Sequence, residues 1–301
     1  MSGPVEVAEG RRTEVGGIPV QRSLPQRGRR TVGAWCFLDH FGPADVPDVS
    51  MLVGPHPHVG LHTVTWVFEG EVVHHDSLGS EQLIKPGQLN LMTAGRGVAH
   101  AEETPAGATG TLHGLQLWVA QPDATRSGAA AFEHLAALPE AEVGPVVATV
   151  LVGEVAGVRS PARADTPLVG ADLVVAGPAT LPLDRSFEHG LLVVDGPVTV
   201  DGAVVAPGAF AYLDPGRDEI GLGPAAGGRG RALLLGGEPF GEPVLMWWNF
   251  VARTREEMVE ARQAWEAGSD RFGPVDSGLG RIPAPPPLWD RAGMRPVEKP
   301  L

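Results

Sequence analysis

The sequence predicts an all-β chain of two similar barrels or sandwiches in tandem, with one helix near the C-terminus. Three observations carry this. Gly (41) and Pro (29) together approach a quarter of the 301 residues and are spread along the chain, as many tight turns between short strands require. Short β-branched or aromatic runs recur, each closed by Gly, Asp or Pro. One order of strand, tight turn, hairpin and Pro-Gly turn occurs twice. It reads Glu69-Gly70 then Pro86-Gly87 before "QLNLM", and Asp195-Gly196 then Pro207-Gly208 before "AFAYL". Two such modules of about 110 residues, poor in helix, suit a jelly roll.

In chain order, the polar, Arg-rich residues 1–30 read as an opening hairpin or arm. "TVGAWCFLDHFGP" (31–43) reads as a buried strand ending in a turn. From Thr63 to about Val119, "TVTWVFEG", "EVVHHDSLG", "GQLNLMTAG", "GVAHAEET" and "LHGLQLWVA" are successive strands with their turns. "GAAAFEHLAALPEAEV" (128–143) is Ala/Leu-rich and reads as a short helix or a linker loop. Strands resume near Val146 and run to about Leu235. "TREEMVEARQAWEAG" (254–268) carries the one strong helix signal: Thr254 and Glu257 form a capping box, and Gly268 is the stop. Met258, Ala261 and Trp265 fall on one face of that helix. The tail "RIPAPPPLWDRAG" (281–293) reads as extended chain over the surface. The expected division is 1–130 for the first barrel, and 131–301 for the second barrel with the helix and tail.

A formal charge of −13 argues against direct binding to nucleic acid or to an anionic membrane. Cys36 is the only cysteine, which excludes an intrachain disulfide and a cysteine-based zinc site. It sits in an apolar strand and reads as a core thiol. The N-terminal residues have no apolar core of signal-peptide length, and no apolar run approaches the roughly 20 residues of a bilayer span. The expected address is the cytoplasm and the expected state a monomer. "TAGRGV" and "GGRGRA" lack the strand-loop-helix context of a phosphate cradle.

Histidine is scarce, at ten residues, yet "GPHPHVGLHTV" holds His56, His58 and His62. Residues i and i+2 of a strand share a face, so His56 and His58 form a ready chelate. His100 and Glu102 in "GVAHAEE" repeat the spacing. Three imidazoles and a carboxylate suit one divalent first-row metal and leave two of six octahedral positions open for substrate or dioxygen. Either motif alone is commonly an idle surface feature. The repeat acts as a control: the second module has Pro182 and Asp184, and Gly221 and Gly223, at the corresponding places. All four ligand types are absent there together. Of His74 and His75 one must face outward; the other could approach the barrel mouth, though a hairpin end is the expected role. His113 is placed near a cavity rim, and His40, His134 and His189 are read as structural or solvated.

The stretches "HPHVGLHTVTWVFEGEVVHHDSLG", "PGQLNLMTAGRGVAHAEE" and "LHGLQLWV" closely resemble the pirin family of the cupin superfamily, over about residues 10–255 and most densely over 54–120. The resemblance implies two cupin barrels with one metal ion in the first. The metal is usually Fe2+, with Mn, Co, Ni, Cu or Zn as chemical alternatives, and its ligands carry over to His56, His58, His100 and Glu102. His62 departs from the family, which commonly has Glu there. It is expected to line the cavity, as an extra donor or behind the ligands, or to be a tolerated polar substitution. Two roles follow from the resemblance. One is a quercetin 2,3-dioxygenase-type oxygenase, in which Glu102 takes the flavonol hydroxyl proton and the ring opens with loss of carbon monoxide. An apolar wall of residues such as Val64, Trp66, Leu91 and Trp118 would hold the small aromatic substrate. The other is a redox-responsive binding protein for a transcription factor or metabolic enzyme.

Overall fold

The computed structural model describes residues 3–46, 48, 50–225, 227–287 and 289. Each half builds one seven-stranded and one four-stranded antiparallel sheet, and the two halves use the same strand order. In the first, the four-stranded sheet runs Leu52–His58, Val98–Glu103, Val72–Asp76, Glu81–Ile84. Its counterpart runs Ala179–Pro182, Glu219–Pro224, Val198–Val200, Ala203–Val205. Alternating β-branched residues and Gly-closed turns keep the strands short and twisted enough to close each pair of sheets on itself.

The strand pairing does not respect a cut at residue 130. Strand Glu6–Glu9 pairs with Ala209–Leu213 at the edge of the second barrel's large sheet. Strand Ala131–Leu135 pairs with Leu89–Thr93 at the matching edge of the first. Each half thus lends the other an edge strand. The region 128–143, expected to be a helix or a linker, supplies two strands, Ala131–Leu135 and Glu140–Val143. Pairing outweighs its Ala/Leu helix propensity: Phe132 lies opposite Met92 and stacks on His74, ring centroids 4.5 Å apart. The opening hairpin is Arg11–Val15 with Ile18–Leu24.

One of the two large core clusters lies between the barrels. It joins Trp35, Val64, Trp66 and Leu91 of the first to Leu192, Phe210, Leu233 and Leu235 of the second. Polar groups in it are satisfied: Trp66 Nε1 donates to Asp172 at 3.0 Å, and Trp35 Nε1 to the Val169 carbonyl at 3.0 Å. Cys36 is fully buried, and burial pushes its thiol up to about 12, as a core thiol requires.

After the second barrel the chain returns to the first. Hairpin Leu245–Trp247/Phe250–Ala252 bonds through Val251 N to the Val59 carbonyl at 3.1 Å. Helix Arg255–Glu266 buries Met258, Ala261 and Trp265 against it. Thr254 caps the Glu257 amide, Gly268 ends the helix at φ +64°, and the Glu257 carboxylate accepts from Arg253 N, one residue before the cap. Residues 281–287 carry no regular structure, and Ile282 N bonds the Pro55 carbonyl. Residues 288 and 290–293 of the expected extended tail lie outside the described residues. No helix among the described residues is long and apolar enough to cross a membrane.

Candidate metal centre

Antiparallel pairing of Leu52–His58 with Val98–Glu103 sets His100 directly opposite His56, so the two i, i+2 motifs face each other across one sheet. The register shifts by one residue there, with the extra residue in Leu52–His58, while His100 and Glu102 stay in regular register with Asp76 and His74 and so share one face. Donor atoms of His56, His58 and His100 all lie within 4.8 Å of one another. Those of His74, His100 and Glu102 form a second such group, sharing His100. All five side chains are buried. His56, His58, His100 and Glu102 line a cavity of about 490 Å³ in the first barrel.

Hydrogen bonds behind the rings fix their tautomers. His58 Nδ1 donates to the Asn249 carbonyl at 3.0 Å, and His56 Nδ1 to the Gly54 carbonyl at 2.9 Å. The Asp76 carboxylate accepts from the Leu78 and Ser80 amides at 2.9 and 3.0 Å and lies 3.1 Å from His74 Nε2. Burial would raise this carboxyl, but hydrogen bonds from His74 and Ser80 outweigh burial and lower it, so it is an acceptor only. His74 must then donate from Nε2. With its proton on Nε2, His74 presents Nδ1 as the acceptor for His100 Nδ1, 3.3 Å away. Each of the three ligand candidates is left with a bare Nε2 lone pair.

The Nε2 atoms of His58 and His100 are 3.0 Å apart. Two lone pairs at that distance repel unless a cation lies between them. It is also the separation of two nitrogens about 2.1 Å from a shared ion and at right angles to one another. Burial, reinforced by neighbouring histidines, holds His58 and His100 well below their ordinary value, and burial lowers His56 to about 4. Neutral imidazoles are the form that ligates. Burial raises the Glu102 carboxyl, against the pull of His74 and of Thr65 Oγ1, which lies 3.1 Å from Glu102 Oε1. The donor set fits a divalent first-row ion.

Several expectations need correction. His62 does not line this cavity: the turn after His58, with Gly60 at φ +69°, resets strand parity. His62 faces the second barrel, with Nδ1 2.9 Å from Thr93 Oγ1 and Nε2 3.1 Å from Asp165 Oδ2. Val64, Trp66 and Leu91 point the same way into the inter-barrel core, and of the four expected wall residues only Trp118 lines the cavity. The wall is instead built from Ile18, Val20, Phe37, Phe41, Met51 and Val53. Phe37 stacks on Trp118 at 4.0 Å, and Arg22, paired with Asp39, sits 4.4 Å above the Phe37 ring. His113 is not at the cavity but pairs with His40, Nε2 to Nε2, at 2.7 Å. His134 bonds Asn90, and His75 lies 3.5 Å from Glu103. His74 is the functional side chain that sequence reasoning left at a hairpin end. Strand alternation shows that one of His74 and His75 turns inward, but Val72 and Val73 give each parity an apolar neighbour, so the local sequence does not say which.

Comparison with known proteins agrees with this architecture. Residues 17–119 match the family model described as "Pirin", and residues 169–273 that described as "Pirin C-terminal cupin domain". The chain is 48% identical over 280 residues to a Pseudomonas aeruginosa protein named "Putative quercetin 2,3-dioxygenase", covering 91% of this chain and 87% of that one. It is 37% identical over 282 residues to a pirin-like protein of Caulobacter vibrioides, covering 90% and 96%. The crystal structure of a quercetin 2,3-dioxygenase from Acinetobacter baumannii superposes with a TM-score of 0.89 at 43% identity, covering 97% of both chains. With paired barrels, of which only the first carries the histidine cluster among the described residues, the chain belongs to the pirin family of the cupin superfamily.

Proposed function

We propose that this chain is an iron-dependent oxygenase of the quercetin 2,3-dioxygenase type, acting in the cytoplasm on a small flavonol-like aromatic. His56, His58, His100 and Glu102 hold the ion. The observation that carries the reading is the convergence of three bare imidazole nitrogens and a buried carboxyl on a cavity walled by aromatic and aliphatic side chains. Names of relatives point the same way: the Acinetobacter baumannii protein is a quercetin 2,3-dioxygenase.

Bound iron supplies a Lewis acid and a redox centre for a ring hydroxyl and dioxygen. The protein does the rest. Phe37 and Trp118, both lining the cavity, give the rings an aromatic wall to pack against. Glu102, beside the ion and raised by burial, takes the hydroxyl proton as the substrate settles. Thr65, placed between Glu102 and Gln116, steadies the carboxyl. Buried walls keep bulk water from the reacting carbons.

The test mixes anaerobically purified, iron-loaded protein with quercetin and admits air. Loss of the flavonol absorption band, abolished in His58→Ala, supports the reading. No loss with iron or with other first-row metals refutes it and favours a binding protein in which the ion's oxidation state governs partner affinity.

A further inference from the structure

The turn that covers the metal cavity comes from the far end of the chain and holds the residue with the least comfortable backbone near the site. Trp247 pairs with Phe250, leaving Trp248 and Asn249 as a two-residue hairpin turn. Trp248 has φ +52°. The first position of such a turn, when φ is positive, is ordinarily glycine, because a side chain there is strained. A tryptophan is the costliest kind of exception, and strain of this sort persists where the surroundings impose it and function uses it. Here the surroundings do impose it. The Asn249 carbonyl holds His58 Nδ1, Val251 is bonded to Val59, and the Trp248 ring packs edge-on against Phe250 at 5.4 Å. Trp248 and Asn249 both line the cavity that holds the histidine cluster.

We propose that Trp248 is a specificity-determining residue: its indole sets the width of the cavity beside the ion and selects planar aromatic ligands over small ones. This rests on the metal-site reading above, but not on the oxygenase chemistry. Glycine at 248 would relieve the backbone and leave the Asn249 carbonyl in place, so the strain serves the ring itself.

The test loads wild type and Trp248→Gly with Co2+, whose visible bands report each new ligand at the ion, and titrates both with azide and with quercetin. The variant is expected to bind one Co2+ as before and to bind azide equally well. Quercetin affinity falls roughly tenfold, the worth of one lost aromatic face. Trp248→Asn, which tolerates positive φ, carries the same expectation should the glycine variant fold poorly. Unchanged quercetin affinity in both variants overturns the proposal, and so does a wild-type protein whose Co2+ bands respond to neither ligand. Quercetin that binds with this dependence yet survives exposure of the iron-loaded protein to air refutes the oxygenase reading and leaves the role of Trp248 standing.

Discussion

Replacing Asp76 by Asn isolates the tautomer chain behind His100. The Leu78 and Ser80 amides donate to Asp76 Oδ1, so they hold the amide oxygen of an asparagine in the same place. Its NH2 group is then left facing His74 Nε2, where the carboxylate had accepted. Two donors cannot meet, so the His74 proton moves to Nδ1. His100 Nδ1 becomes the acceptor, and the His100 proton moves to Nε2, the nitrogen that faces His58. A metal ion must reverse this whole shift before His100 can ligate. Reversal leaves the asparagine NH2 and the His74 N–H buried against each other with no acceptor, a cost of about 1–3 kcal/mol. That range agrees with the 10- to 100-fold loss of affinity, about 1.4–2.7 kcal/mol, typical when a ligand's outer partner is removed. The assay is competition for Fe2+ or Ni2+ against a chelator of known affinity, with a thermal melt to show that the variant is folded. A folded Asp76→Asn protein that binds metal within about twofold of wild type refutes the tautomer argument.

Other outcomes follow from the same geometry. Glu102→Gln is expected to bind quercetin but to oxidise it about 10²- to 10⁴-fold more slowly, as measured by single-turnover absorbance, because the proton acceptor is gone. His62→Ala should leave metal stoichiometry unchanged yet destabilise the fold by about 2 kcal/mol in urea unfolding, since it strips one of the buried partners of Asp165. Stability should also depend on pH through His40 and His189, each lowered by burial to about 4 from 6.5. Between those values the unfolded chain binds protons that the native state refuses. Stability is therefore full above pH 6.5 and falls on acidification by about 1.4 kcal/mol per pH unit per group. Urea midpoints of metal-free His40→Gln, set beside those of metal-free wild type, should show a shallower slope by about one proton.

The parts legible in the sequence are those with short-range periodicity. His56/His58 and His100/Glu102 obey strand parity on neighbouring strands, so spacing alone brings them to one face. Helix Arg255–Glu266 announces itself by its cap and its apolar stripe. The rest depends on partners far along the chain. Strand Leu61–Glu69 is buried on both faces except at its last residue, so the alternation of Val64 and Trp66 with Thr63 and Thr65 does not say which face meets the second barrel. Ala131–Leu135 has helical composition and is made a strand by the free edge it fills. The carbonyl that orients His58 lies 191 residues away in sequence, in a turn with no motif to mark it.

The reciprocal edge strands bear on how the protein is made. Glu6–Glu9 leaves the ribosome roughly two hundred residues ahead of its partner Ala209–Leu213. That strand thus waits for most of the second barrel to be made before it finds its neighbour. The first barrel in turn cannot close its own edge until Ala131–Leu135 has emerged. Until Ala209–Leu213 is made the nascent chain carries Glu6–Glu9 as an orphan strand, and a fragment stopped near residue 130 would leave both it and Leu89–Thr93 without a partner that each has in the finished protein.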